Sequence, residues 1–375
     1  MKKLLKIVGT AIAMILLAAI GAVGGFLLTA SLFSGFFNPL EVGLSLLGIF
    51  LLFYASIIIH EAGHLVFGLI SGYSFSSFRI ASFMWIKQDG KIKLRRLSIA
   101  GTGGQCLMAP PKRNDGKMPV ILFNLGGVIA NLIFAILCLM IYYLLLNKQI
   151  VVALVFLFGA IISFAIALTN GLPLNIGGIS NDGMNAIHLS KNKNASAAFY
   201  NQLLMNSAQA KGVRLSDMPE EWFVLPEGAD MQNVHNASIA VFAASRALDR
   251  LDTISAEQEI SALLKSGYNI TGLHKSLLKC DLVYAKLINS GKNAEISSLL
   301  TLDQLKFMKS MKKFPSVLRT EYTLALIRDN DENKAKKIKA NFEIMAKKYP
   351  YPTDIESELA LIDLAFERYK NPKIA

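Results

Sequence analysis

Four apolar stretches reach the length a helix needs to cross a bilayer, about 20 residues. They run from Ile7 to Phe33, Val42 to Ile70, Val120 to Leu146 and Ile150 to Thr169. In hydrocarbon, every backbone N–H and C=O must be satisfied within the protein, so stretches of this kind fold as helices. Hydrophobic residues make up 53% of the chain and charged ones 18%, with the imbalance concentrated before residue 170. From Asp182 onward the composition is mixed and charged, and no further run of membrane length occurs. The expected fold is mainly α. A polytopic membrane domain of about four spans (1–190) precedes a soluble all-α domain (191–375).

The basic start MKKLLK and its long apolar sequel admit a cleaved signal peptide or a retained first span. The apolar segment exceeds the usual 7 to 15 residues of a signal core, which favours the retained span. Lysine and arginine then set the orientation. Lys2, Lys3 and Lys6 precede the first span. Between the second and third spans stand Arg79, Lys87, Lys91, Lys93, Arg95, Arg96, Lys112, Arg113 and Lys117, against Asp89 and Asp115. The other two connections are nearly uncharged. The N-terminus, this middle loop and the C-terminal domain are therefore expected on the cytoplasmic side of a multi-pass cell-membrane protein. The net charge of +12 follows partly from that topology and partly from attraction to the anionic lipid bilayer, and makes no case for nucleic acid. Cys106, Cys138 and Cys280 are scattered and odd in number, which suggests neither a disulfide framework nor a thiolate metal site.

Within the second apolar run lies His60-Glu61-Ala62-Gly63-His64. On a helix, His at i and i+4 share one face and can bind one zinc, and the carboxylate between them can take a proton from a water activated there. Ionisable residues in such surroundings are expensive and mark function by default. His60 stands about 18 residues into its span, about 27 Å along a helix, near the cytoplasmic edge of a hydrocarbon core about 30 Å thick.

A catalytic zinc takes three protein ligands. Just past the fourth span, Asn170 to Gly183 holds four glycines and a proline in a stretch that resists continuing a helix. Asp182 is its only carboxylate and the natural third ligand, although Asn-Asp-Gly alone is a common turn. His188 is the rival candidate. In the third span, Asn131 follows Gly126 and Gly127; an amide there bonds across a helix interface or to the site. The loop SFSSFRIASFMWIKQDGKIKLRRLSI alternates, with Phe75, Phe78 and Ile80, then Ile92, Leu94, Leu97 and Ile99, around an Asp89-Gly90 turn. This small β-hairpin element can accept an extended substrate by strand addition, or can be a surface hairpin held to lipid by its basic side chains.

Taken in order, HEAGH, the strand-rich loop, the Gly-Gly-x-x-Ala-Asn element and the Asn-x-x-Pro…Asp-Gly element resemble the site-2 protease family of intramembrane zinc metalloproteases, over about residues 42–190. The resemblance implies zinc (Zn2+) held by His60, His64 and Asp182, Glu61 as general base, and Asn170 supporting the site while Pro173 breaks the helix. It also implies hydrolysis of a peptide bond within or beside a transmembrane segment of a membrane protein or membrane peptide, as in regulated intramembrane proteolysis. The spacing from Asn170 to Asp182 is longer than the family's usual one, and the middle loop is too short for the PDZ domain that some members carry.

The C-terminal part reads as eight helices: 195–209, 234–251, 255–265, 274–288, 303–312, 316–329, 332–348 and 354–369. The segment ALIRDNDENKAKKIKANFEIMAKKYP resembles a tetratricopeptide-like pair, without a strict period. Docking of a protein partner and a plain helical cap both fit. Two other functions fit less well. One is a protease relic acting as a transporter component or chaperone, which has no need of an intact His-Glu-His-Asp set. The other is a prenyl-protein type of membrane protease, whose third ligand would have to come from Glu220, Glu221 or Glu227.

Overall fold

The computed structural model describes residues 39–99, 102–112, 118–176 and 179–371. The expected first span lies outside them. The chain divides into two compact units, one running up to Ser74 and resuming over Pro111–Lys191, the other made of Phe75–Pro110 and the chain from Asn192 onward.

The first unit contains α1 (Pro39–Ile70). The sheet strands β1 to β4, which follow in the chain, belong to the second unit. The first unit then continues with α2 (Val120–Leu145), α3 (Ile150–Gly171) and α4 (Asp182–Lys191). Among the described residues, three helices are long and apolar enough to cross a membrane: α1, α2 and α3. Their large side chains point outward, Leu47, Phe50, Leu51, Ile133 and Ile136 being exposed, while Ser56, Asn131 and Ser163 are fully buried between helices. Water would penalise that arrangement; a lipid solvent permits it, because tails are as apolar as leucine. Small residues let the backbones meet. A Cβ on Gly126 would lie 2.6 Å from the Gly63 carbonyl oxygen, so α1 and α2 touch only because neither position carries a side chain.

α1 ends in a Schellman closure. Gly72 adopts φ +84, its N–H donates to the Leu69 carbonyl, and the Tyr73 N–H donates to Gly68. The ring of Tyr73 then stacks on Phe123 of α2, centroids 4.4 Å apart. This fixes the end of the helix that carries the histidines.

In the second unit, β1 (Ser74–Ile80), β2 (Phe83–Gln88), β3 (Lys91–Arg96) and β4 (Gly104–Ala109) form one sheet in the order β3-β2-β1-β4. The expected hairpin is thus part of a four-stranded sheet. Asp89 and Gly90 both have positive φ, +52 and +74, as a tight two-residue turn requires. The β1–β2 turn was hidden because it uses Ala81 at φ +52, a residue that gives no turn signal. One face of the sheet is neither free nor simply laid on lipid. Met84, Ile86 and Leu97 enter the core with Leu278, Tyr284 and Phe342, and Gln88 Nε2 donates to the Pro350 carbonyl at 2.7 Å.

The helices of this unit are α5 (Lys193–Ala210), α6 (Val234–Asp249), α7 (Thr253–Lys265), α8 (Gly272–Ser290), α9 (Leu302–Ser310), α10 (Pro315–Thr323), α11 (Glu332–Ala346) and α12 (Pro352–Lys370). They follow the eight expected segments closely because polar caps mark their starts. Asn192, Asn233, Asp252, Thr271, Thr301 and Asp331 each accept a backbone N–H from the first turn. The one departure is a π turn over Leu324–Arg328 that extends α10.

Candidate metal centre

His60 and His64 lie one turn apart on α1, and α4 brings Asp182 to them. His60 Nε2 is 3.1 Å from Asp182 Oδ2, His64 Nε2 is 3.4 Å from the same oxygen, and the two nitrogens are 3.3 Å apart. Three ligand atoms around a tetrahedral zinc with bonds of about 2.0–2.1 Å are separated by about 3.3 Å, so the triangle has the size that ion requires. The donor chemistry agrees. His64 Nδ1 lies 2.9 Å from the Phe123 carbonyl oxygen, which can only accept, so Nδ1 carries the proton in the neutral ring. Its Nε2 lone pair then faces the carboxylate oxygen. In the neutral ring those two repel unless a metal ion or a second ring proton lies between them. Two neutral imidazoles and a carboxylate are a common zinc set, and these residues fit the metal.

Local sequence explains each placement. Gly127 lies against the His60 ring, where a Cβ would come within 2.6–2.8 Å of three ring atoms. Asp182 opens α4, and Gly183 beside it packs directly on the Gly171 carbonyl oxygen, an approach open only to glycine. The clamp for that approach is Asn181. Its Oδ1 accepts from Leu174 N at 3.1 Å and Met184 N at 3.0 Å, and its Nδ2 donates to the carbonyls of Thr169 and Leu172. All four capacities of the amide are used, tying the end of α3 to the start of α4. Sequence reasoning passed over Asn181. Its signal was an Asn three residues before Met184, the spacing of a helix N-cap.

The other expected residues fall as follows. Glu61 sits half-buried on α1, next to His60. Asn131 is buried between α2 and α3, where the Ser163 hydroxyl donates to its carbonyl oxygen at 2.9 Å. Asn170 donates its amide to Ile166 of its own helix at 2.9 Å, rather than to the cluster. His188 is exposed on α4. Glu220 pairs with Arg246 at 2.9 Å in the second unit, and Glu221 and Glu227 are exposed. Among the described residues, only His60, His64 and Asp182 form a cluster able to hold a metal.

No curated protein and no solved structure matches the chain. Residues 48–206, which carry the whole cluster, match the model of Peptidase family M50, the site-2 protease family.

Proposed function

We propose that the protein is an intramembrane zinc metalloprotease that cuts peptide bonds in or beside transmembrane segments. One observation carries the reading: three ligand atoms set in a triangle of zinc dimensions, on helices apolar enough to lie in a bilayer. His60, His64 and Asp182 would hold the metal. When bound, zinc lowers the pKa of water to about 7 and polarises the scissile carbonyl.

The remaining work falls to the chain. Glu61, beside the ligands, takes the proton of the attacking water and returns it to the leaving amine. Phe123 holds His64 in the tautomer that leaves Nε2 free. Asn181 and Gly183 hold Asp182 in place. A substrate helix must unwind to expose its scissile bond, and the Gly-rich segment after α3 is a place to receive an unwound chain. By the positive-inside rule, the basic middle loop, the N-terminus and the C-terminal helices face the cytoplasm of a multi-pass protein. The relic reading has no use for an intact His60, Glu61, His64 and Asp182 set.

The test uses full-length protein in detergent. About one zinc per chain is expected, lost in His60→Ala and kept in Glu61→Gln. Membrane proteins that accumulate uncut with Glu61→Gln, identified by mass spectrometry, should be cleaved by the wild type. Absence of metal from the wild type, or full cleavage by Glu61→Gln, would sink the proposal.

A further inference from the structure

The second unit contains a half-open cavity of about 230 Å³, walled by helices α5, α6, α8, α10 and α12. Four carboxylates line it: Asp249, Asp281, Asp354 and Glu358. Two guanidiniums answer them. Arg214 pairs with Asp249 at 2.9 Å, and Arg319, fully buried, pairs with both Asp281 and Glu358. Among the described residues, Asp354 receives only the Gln209 amide, at 3.3 Å. His274, the remaining basic group in the wall, has its pKa lowered by burial and stays neutral. Fully ionised, the four carboxylates exceed the two guanidiniums by two charges, inside a chain whose net charge is +12.

Buried charge of this kind is no aid to folding, since well-packed apolar side chains commonly serve stability as well or better. A second feature also points to a ligand. Thr353, nine-tenths buried in the same wall, has a hydroxyl with no hydrogen-bond partner among the described residues. The rest of the wall includes Val241, Phe242 and Leu277. The volume lies below the roughly 300 Å³ at which pockets for drug-sized molecules begin, so it suits one side chain. An apolar stem with a cationic head, as in lysine or arginine, matches apolar walls that end in unpaired carboxylate.

We propose that this cavity receives a Lys or Arg side chain of a polypeptide, supplied by the basic cytoplasmic flank of a membrane substrate. The identity of that source rests on the protease reading above; the cavity itself does not. Such flanks carry lysine and arginine as a rule of membrane topology. The cavity would then recognise substrate through charge, with residues other than the metal ligands.

The test uses the full chain in detergent, carrying Glu61→Gln so that nothing is cut. Two synthetic peptides with one apolar span are titrated, one ending in three arginines and the other in three glutamines. The arginine peptide should bind at least about 10-fold more tightly, as expected for a close charge pair away from bulk water. Asp354→Asn should erase that preference without lowering the melting temperature, because it removes a charge with no ionic partner. Nα-acetylarginine amide should compete with the arginine peptide. Equal binding of the two peptides, a preference that survives in Asp354→Asn/Glu358→Gln, or displacement by calcium alone would overturn the proposal. If the preference holds while the wild type cleaves no membrane protein, the cavity stands and its assigned source falls. If the wild type cleaves membrane proteins but shows no preference, the protease reading stands and the cavity proposal falls.

Discussion

His60 Nε2 and Asp182 Oδ2 lie 3.1 Å apart, although 122 residues separate them in the chain. That contact joins α1 to α4 and completes the donor set. Asp182→Asn keeps the shape of the side chain and removes its charge, leaving two neutral imidazoles. Zinc affinity should fall by more than about 100-fold, beyond the 10–100-fold typical of losing an outer partner. Competition with a chelating dye measures it, and retained affinity would remove Asp182 from the ligand set.

Asn181 contacts the metal ligands only through the backbone it organises. Asn181→Ala abandons four hydrogen bonds, including the cap of α4. Zinc affinity should drop by about 10–100-fold, as for other residues that orient a ligand. Asn181→Asp keeps the acceptor for Leu174 and Met184 but loses both donated bonds. It should fall between the wild type and the alanine variant, as read by the same dye competition.

Gly127→Ala places a methyl within 2.6–2.8 Å of the His60 ring. Overpacking of this sort costs about 1–3 kcal/mol where the surroundings yield. Here the easiest yield is a turn of the imidazole out of the triangle. Metal content should therefore drop while the helices still assemble, a split that circular dichroism and metal analysis on one sample would reveal.

The His60, His64 and Asp182 cluster was legible because each member carries its own local signal. His60 and His64 share a helix face by spacing alone, and Asp182 is the only carboxylate in its segment. Asn181 was hidden by the same residues, since Asn-Asp-Gly reads as a turn until the packing of Gly183 on Gly171 shows which turn. Asn170 stood out in the sequence, yet its amide bonds to Ile166. The helices after residue 192 could be read from their caps. The burial of Met84 and Ile86 among them could not, because alternation tells that a strand has a buried face and not what covers it. The charged cavity had no sequence signal at all. Its carboxylates come from three separate helices, and only tertiary packing gathers them.

The same cavity sets a pH dependence of stability. Burial pushes the Asp354 carboxyl up to about 7 from 3.8, and that of Glu358 up to about 7 from 4.5, Arg319 acting against the rise in the second case. A folded pKa above the unfolded one means that, within the window between them, the folded chain holds protons the unfolded chain has released. Stability is therefore greatest below about pH 4 as far as these groups are concerned, and it is lost as pH rises to about 7. His274 acts in the opposite sense, since burial lowers its pKa and an unfolded His274 gains a proton below 6.5. Asp249 and Asp281 also face the cavity, so the raw pH profile mixes several groups. The difference between wild type and Asp354→Asn isolates one of them. The variant should melt a few degrees higher near pH 8, and the gap should close toward pH 4. The readout is selective, because both tryptophans, Trp85 and Trp222, belong to the second unit, so intrinsic fluorescence follows its unfolding. A gap that widened toward acid would mean that Asp354 is ionised and stabilised in the folded protein, and that the cavity does not hold an unpaired carboxylate.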